Sequence, residues 1–226
     1  MPEQPGPAGA VRDGRSTRWD PHRRERRARI IDAAIRAIEE HGPDVLTGQI
    51  AEQAGVPRTH VYRHFDGKPA LDLAVSTHVA LEIGRHIRAA FAEAGSTREL
   101  IGNAIDRHLG WVDEHPNLYR FLARNAFAIT TPQGPPADAK AAFAAEITHL
   151  TEQYMRALGI DTAPAERMIV GVVGLVDATA SWWIDRRQPR RDVVAGELTE
   201  QVWLIIRQAG RTLGVELDAD ARLPRI

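Results

Sequence analysis

Five side chains suited to binding nucleic acid lie within seven consecutive residues: Arg58, Thr59, His60, Tyr62 and His64. Arginine can bind a guanine edge through two hydrogen bonds, and hydroxyl and imidazole groups can bond to neighbouring bases or to phosphates. The apolar residues between them recur at the spacing that turns one face of a helix toward a core. This segment therefore predicts a short helix with a polar face suited to the major groove of DNA.

A second short helix, Gly48–Ala54, is predicted just before this segment, with Thr47 as its cap. The glycine and valine between the two helices form a turn that sets one across the other, which is the helix-turn-helix geometry. Apolar residues of both helices can pack on the amphipathic stripe Ile30–Ile38. The predicted base contacts come from Arg58, Thr59 and His60, and the predicted phosphate contacts from Thr47, Tyr62, His64 and Lys68.

The stretch Ile50–Val75 (IAEQAGVPRTHVYRHFDGKPALDLAV) resembles the TetR family of bacterial repressors. The shared pattern is the Ala-Gly-Val turn, the Val61-Tyr62-x-x-Phe65 core and the following Lys-x-x-Leu, and the resemblance extends over Arg27–Val75. It implies a homodimer with two DNA-binding heads on a double-stranded operator. It also implies a body that binds a small ligand, which releases the DNA.

Two positions depart from the family pattern. Pro57 stands where the family usually has serine or threonine, and His60 stands where a small hydroxyl residue is common. These departures affect the expected operator sequence and leave the expectation of DNA binding intact. The alternative is a helical small-molecule-binding or enzymatic protein whose head no longer binds DNA, and the intact polar face of Arg58–His64 argues against it.

Metal-binding spacings occur at two places. His60 and His64 lie four residues apart, but no third ligand lies nearby in sequence apart from one aspartate, and both fall on the predicted DNA face. His78, Glu82 and His86 repeat at the same interval, which is also typical of a solvated helix face. We therefore predict no metal site.

Catalytic motifs are lacking in the sequence. None of the four serines lies in a nucleophile elbow, there is no cysteine, and no glycine-rich phosphate loop occurs. Asp177 is the one carboxylate that the pattern buries, and we expect it to accept a hydrogen bond from a neighbouring helix. The sequence predicts a protein that is not an enzyme and has no cofactor.

The composition is that of a globular protein, with 43% hydrophobic and 26% charged residues. The net charge of −1 conceals a basic segment, because residues 1–30 hold eight arginines against four acidic residues. The lack of cysteine and of an apolar leader leads us to expect a cytoplasmic protein. The apolar run Met168–Ile184 is 17 residues long and interrupted by polar residues, so a buried helix is expected there and no membrane association.

Helical periodicity without any alternating stretch predicts an all-α fold of about nine helices. Residues 1–20 are expected to be a disordered tail, 21–67 a three-helix DNA-binding head, 68–215 a body for ligand binding and dimerisation, and 216–226 a tail. The helix Pro164–Arg186 is apolar nearly all round, which predicts burial. In the dimer that the resemblance implies, its small residues and the apolar stripe of the last helix would allow close helix packing.

Aromatic and polar residues are mixed on the predicted body helices, as in pockets for largely apolar ligands. The stretch HPNLYRFLARNAF, together with Met168–Ile184, resembles a sub-group of actinobacterial TetR regulators linked to lipid or fatty-acyl thioester sensing. The expected effector is therefore a fatty-acyl or other hydrophobic small molecule. The predicted ligand-binding residues are Trp111, Phe121, Asn125, Phe127, Asp177 and Trp182.

Overall fold

The structure, a computed structural model, describes residues 14–125 and 139–223, and in these ranges it contains nine helices and no strand longer than an isolated bridge. The helices are α1 (Gly14–His41), α2 (Thr47–Gln53), α3 (Arg58–His64), α4 (Gly67–Glu93), α5 (Thr97–Glu114), α6 (Pro116–Asn125), α7 (Ala139–Ala157), α8 (Ala165–Arg186) and α9 (Arg191–Thr212). The prediction of an all-α fold is confirmed.

The first three helices form a small head around a filled core. Ile30 and Ile38 of α1 pack with Ile50 of α2 and with Val61 and Phe65 at the end of α3. Gly55 adopts a φ of 63° between α2 and α3, a left-handed conformation that glycine takes without steric cost. The turn thereby lays α3 across α2, as the sequence predicts.

Two boundaries in the head differ from the expected ones. Helix α1 begins at Gly14, seven residues before the expected start at Pro21. Thr47 is the first residue of α2 and does not cap it; the backbone N–H of Leu46 instead donates to Oε1 of Gln49 at 2.7 Å. Residues 1–13, the larger part of the expected disordered tail, lie outside the described residues.

The body is built around α4, which follows α3 after only two residues and packs against α5 and α7. Helix α5 also packs against α9, and α7 against α8. Ser96 caps α5, since its Oγ accepts a hydrogen bond from the backbone N–H of Glu99 at 3.2 Å. Serine is one of the residues that commonly cap the start of a helix in this way.

Helix α8 is less buried than its composition predicts. Val170 and Trp182 are 55% and 45% exposed in the single chain, and Gly171 and Ala178 beside them are exposed as well. The expectation of burial all round is therefore wrong for the protomer, because α8 packs on the body with one face only. By length and composition alone α8 could also cross a membrane, which is weak evidence because helices that pack against protein pass the same test.

Candidate nucleic-acid interface and body cavity

Helix α3 is held against the head by α1. Val61 and Phe65 are buried at 1% and 3% exposure. The guanidinium of Arg27 lies 4.1 Å from the centroid of the Phe65 ring, and its Nη1 donates to the backbone oxygen of His64 at 2.7 Å. This arginine, one of the eight in residues 1–30, therefore fixes the end of α3.

The outer face of α3 is polar. Arg58, Thr59 and Tyr62 are exposed. Nη2 of Arg58 donates to the hydroxyl of Tyr62 at 3.1 Å. Hydrogen bonds from Thr47 and Arg58 lower the pKa of the Tyr62 phenol, so α2 contributes to the same group. The exposed arginine, threonine and tyrosine form a connected donor surface of the kind that contacts bases and phosphates.

The two histidines of α3 lie under this surface. Their rings stack with centroids 5.8 Å apart, and both residues are half-buried. Burial lowers the pKa of His64, and the charges of His60, Arg23 and Arg26 lower it further. His64 is therefore held mainly in its neutral form at neutral pH.

Lys68 lies at the start of α4, where the head joins the body. Its Nζ lies 2.6 Å from Oδ1 of Asp72 and 5.7 Å from the centroid of the Phe121 ring. The predicted phosphate contact of this lysine would thus compete with an ion pair within α4. Asp72 in turn lines a cavity in the body, so this pair connects the two regions.

The body contains an elongated cavity of about 740 Å³. Its wall is mainly aliphatic and comes from six helices, α4 to α9, with side chains that include Ile83, Ile105, Leu122, Ile147, Val172 and Ile206. The lining residues of α4 run from Pro69 to Phe91, which corresponds to about 33 Å at about 1.5 Å per residue. A mostly apolar cavity of this size is typical of sites for small ligands.

Polar side chains gather at the end of the cavity nearer the head. The hydroxyl of Tyr119 donates to Oδ1 of Asp177 at 2.9 Å and lies 3.2 Å from Oγ of Ser181. Burial raises the pKa of Tyr119, as does the charge of Asp177. The ring of His108 meets that of Tyr119 edge-on, and burial lowers the pKa of His108 against the opposing effect of Asp177.

The residues predicted to bind ligand divide into two groups. Asn125 and Asp177 line the cavity. Trp111 is buried beside a separate cleft between α1 and the body, Phe121 is packed in the core, and Trp182 is exposed on α8, so none of these three is among the described lining residues. Phe127 lies outside the described residues.

Family models match both parts of the chain. The model for bacterial regulatory proteins of the tetR family matches residues 30–75, and that for a tetracyclin repressor-like C-terminal domain matches residues 97–205. Over 196 residues the chain is 33% identical to an HTH-type transcriptional regulator of Mycobacterium tuberculosis, covering 83% of this chain and 81% of that protein. The protein belongs to the TetR family.

Relatives and solved structures of the TetR family extend the match. The regulator BetI of Brucella suis is 42% identical over 81 residues, which cover 35% of this chain and 41% of BetI. A TetR-family regulator from Streptomyces coelicolor has a TM-score of 0.64 at 22% identity, covering 84% of this chain and 83% of that one. FadR from Bacillus subtilis, solved in complex with stearoyl-CoA, has a TM-score of 0.58 at 18% identity, covering 77% of this chain and 96% of FadR.

Membership of the TetR family confirms the resemblance inferred from the α2–α3 segment. The protein is a transcriptional regulator with a helix-turn-helix head, and TetR regulators bind DNA operators and dimerise. Most of the residues that line the cavity were not among the predicted binding residues; the polar ones include Ser76, which was missed altogether, and His108 and Tyr119, which belong to the mixed aromatic and polar residues of the body but were left out of the predicted set. Ser76 could have been found in the sequence, because it is a polar residue on the apolar stripe of α4 that also carries Ala80 and Ile83.

Proposed function

We propose that this TetR regulator is a cytoplasmic repressor that binds a palindromic operator as a homodimer and is released from it by a hydrophobic small molecule of fatty-acyl type. One observation carries the proposal: α4 joins a polar recognition helix at its start to the wall of an elongated apolar cavity along its length. The alternative, a ligand-binding or enzymatic protein with a silent head, would leave the exposed donors of α3 without a role.

In this proposal the start of α3 enters the major groove. Arg58 would bind a guanine edge, and Thr59 and His60 would contact neighbouring bases. Thr47, Tyr62, His64 and Lys68 would hold the phosphate backbone, which positions the helix without specifying sequence. The connection of Arg58 to Tyr62 at 3.1 Å supports this division, because the phosphate-facing tyrosine orients the base-reading arginine.

The exposed apolar faces of α8 and α9 are proposed to form the dimer interface. Val170 and Trp182 of α8 and Val193, Leu204 and Ile205 of α9 are between 37% and 55% exposed in the single chain. Large apolar side chains grouped on two neighbouring helices favour association. Two heads on one twofold axis would read two half-sites, which is the reason for expecting a palindromic operator.

The effector is proposed to occupy the body cavity. Its aliphatic wall would stabilise a long apolar chain by about 25 cal/mol for each Å² removed from water. The stearoyl-CoA bound to FadR supports a ligand of this type, since FadR shares the fold. Asn125 and Asp177 would then orient the polar end of the ligand at the head side of the cavity.

Release of DNA requires that the effector bind better to a conformation whose heads no longer fit the operator. The contacts that would transmit this preference lie between α1 and the body. His115 Nδ1 lies 2.7 Å from Oε1 of Glu39, Nδ2 of Asn117 donates to the backbone oxygen of Glu39 at 2.9 Å, and Arg124 pairs with Asp44. A shift of ~10²-fold in operator affinity would need about 2.7 kcal/mol of preference.

The test is a fluorescence anisotropy titration of the full-length protein on duplex DNA carrying the region upstream of its own gene. We expect salt-dependent binding that stearoyl-CoA or methyl dodecanoate weakens. Ala104→Phe, which places a ring in the cavity, should still bind the DNA but no longer respond, whereas Ala145→Phe on the exposed face of α7 should behave as wild type.

Two results would count against the proposal. Absence of DNA binding by the wild-type protein at low salt would favour the silent-head alternative. An equal response of wild type and Ala104→Phe to either probe would place the effector outside this cavity.

A further inference from the structure

The polar groups of the cavity differ in whether they are already satisfied. At the end farther from the head, Oγ1 of Thr151 donates to the backbone oxygen of Ile147 at 2.8 Å, and the hydroxyl of Tyr154 donates to that of Phe91 at 3.1 Å. The hydroxyl donors of these two lining residues are therefore already bonded to backbone oxygens of helices. The far end is therefore suited to an apolar chain and offers it little to hydrogen-bond.

At the head end, two buried polar atoms have no hydrogen-bond partner among the described residues: Oγ of Ser76 and Nδ1 of His108. Both residues line the cavity, and Ser76 is only 5% exposed. Leaving such a group unpaired away from water is unfavourable, so a ligand that pairs it gains affinity. Ser76 and His108 line the same cavity as Tyr119 and Asp177, and the His108 ring meets the Tyr119 ring edge-on, so both unpaired atoms are available to a polar group of a ligand in this cavity.

The charges around this end are acidic. Among the described lining residues there are two carboxylates, Asp72 and Asp177, and no lysine or arginine. Asp72 is paired with Lys68 at 2.6 Å, and Asp177 accepts the hydroxyl of Tyr119. Burial lowers the pKa of His108, which keeps its ring neutral at neutral pH. The carboxylate of a ligand entering here would meet the negative charge of Asp177 and no cation among the described lining residues.

We infer that the effector buries an uncharged hydrogen-bonding group, a hydroxyl or the carbonyl of an ester or thioester, against Ser76 and His108, with its apolar chain extending toward Thr151 and Tyr154. The inference rests on the proposed function and specifies the ligand of that same cavity. An uncharged group satisfies both unpaired atoms without the cost of desolvating a charge beside Asp177. A free fatty acid has the same apolar chain but ends in a charged carboxylate, which does not suit this part of the cavity.

The serine hydroxyl and the neutral imidazole can each donate or accept, so they suit either a hydroxyl or a carbonyl. A long-chain alcohol and a long-chain ester or thioester both have an apolar chain that ends in an uncharged polar group. Four compounds with the same chain of twelve carbons separate the possibilities: 1-dodecanol, methyl dodecanoate, dodecanoate and dodecylamine. Each is titrated into the full-length protein by calorimetry at pH 7.5, the two ionic compounds below their micelle concentrations and the two uncharged ones below their solubility limits.

The wild-type protein should bind 1-dodecanol or methyl dodecanoate at least ~10-fold more tightly than dodecanoate. Asp177→Asn removes the negative charge but keeps an acceptor for Tyr119, so it should narrow this difference by strengthening the binding of dodecanoate. Ser76→Ala should weaken binding of the preferred uncharged compound ~5-fold. Thr148→Val is the matched control, because Thr148 is buried on α7 outside the cavity wall and the hydroxyl that the change removes is already bonded to the backbone oxygen of Ala144.

The outcomes separate this inference from the proposed function. Equal or tighter binding of dodecanoate by wild type would overturn the inference and leave a hydrophobic effector in place. Tightest binding of dodecylamine would overturn it too, since the site would then select a cation. If none of the four compounds binds, the hydrophobic effector itself fails, and this inference fails with it. Equal losses of affinity in Ser76→Ala and Thr148→Val would show that the Ser76 hydroxyl does not contact the ligand.

Discussion

The apolar side chains of the head and of the body are packed in different ways. In the head, Ile38, Ile50, Val61 and Phe65 are at most 3% exposed and pack against one another around the turn. In the body, side chains of the same kind enclose a cavity of about 740 Å³. The head is a filled core that fixes the surface of α3, whereas the body is a partly hollow core that another molecule can fill.

This difference has an energetic consequence. Side chains at a cavity wall lack partner atoms on one side, so they contribute less dispersion energy than side chains in a filled core. A ligand that binds the folded state and not the unfolded one restores that energy to the body and raises its stability. The head gains less in this way, because the described residues of its core are almost completely buried against one another.

The largest effect that tests this comparison is on stability. Ile38→Ala in the filled core should lower the free energy of unfolding by about 4 kcal/mol, toward the upper end of the range for such changes. Ile83→Ala at the cavity wall should cost about 2 kcal/mol, because fewer contacts are lost there. Denaturant unfolding of both variants measures the difference, and equal costs would show that the body is not hollow in solution.

A smaller effect is expected on DNA affinity. Arg58→Ala should cost about 1–3 kcal/mol on the specific operator and relax the preference over a scrambled duplex. Arg85→Ala, which removes the same charge from an exposed position of α4, should change neither quantity appreciably. Anisotropy on both duplexes at two salt concentrations gives the comparison. Equal losses from the two variants would mean that α3 supplies general charge and no base contact.

The two regions also differ in how far the sequence predicts them. The recognition helix lies within one continuous stretch, so turn, core spacing and polar face can be read together from Thr47 to Lys68. The cavity is assembled from six helices, and which faces meet depends on their packing. Aromatic residues such as Trp111 and Trp182 were therefore assigned to it by type alone, although the first packs near α1 and the second faces outward.

The polar residues Asn125 and Asp177 were more informative, because a polar group on an apolar helix face needs a partner or a ligand. The same reasoning applied to Ser76 and His108 would have located the head end of the cavity. The exposed face of α8 had no such signal, since an apolar helix looks the same in sequence whether it is covered by its own chain or by a second copy.

A third prediction separates the cavity from the cleft beside α1. Asn125→Ala should raise the concentration of effector needed for release by about 2- to 10-fold and leave effector-free DNA binding unchanged, because Asn125 lines the cavity and forms no described contact with the head. Trp111→Phe should affect these two measurements in the reverse order of size. It lies by His115 and Glu39, so it should alter effector-free DNA binding more than the effector response. The reverse pattern in operator titrations would move the effector to the cleft.

The smallest predicted effect concerns pH, and it uses a histidine in each region. Burial lowers the pKa of His108 below its ordinary value of 6.5. Below pH 6.5 the unfolded chain therefore binds a proton that the folded body does not, and the free energy of unfolding falls as the pH falls. His108→Gln should make the melting temperature less sensitive between pH 7.5 and 5.5, and an unchanged slope would mean that folding does not hold the ring neutral.

His64 in the head should follow the same direction in the free protein, because burial and the charges of His60 and Arg23 lower its pKa. Binding to DNA should change the pKa of His64 but not that of His108. Phosphates near α3 favour protonated His64 and raise its pKa, so operator affinity should increase as the pH falls from 7.5 toward 6. An uncharged effector in the cavity brings no such charge to His108. In anisotropy titrations, His64→Gln should flatten the pH dependence of operator binding, whereas His108→Gln should leave it as in wild type. If His108→Gln flattens the pH dependence of operator binding equally, protonation of the body also affects DNA binding. The head and the body would then not differ in how protonation affects DNA binding.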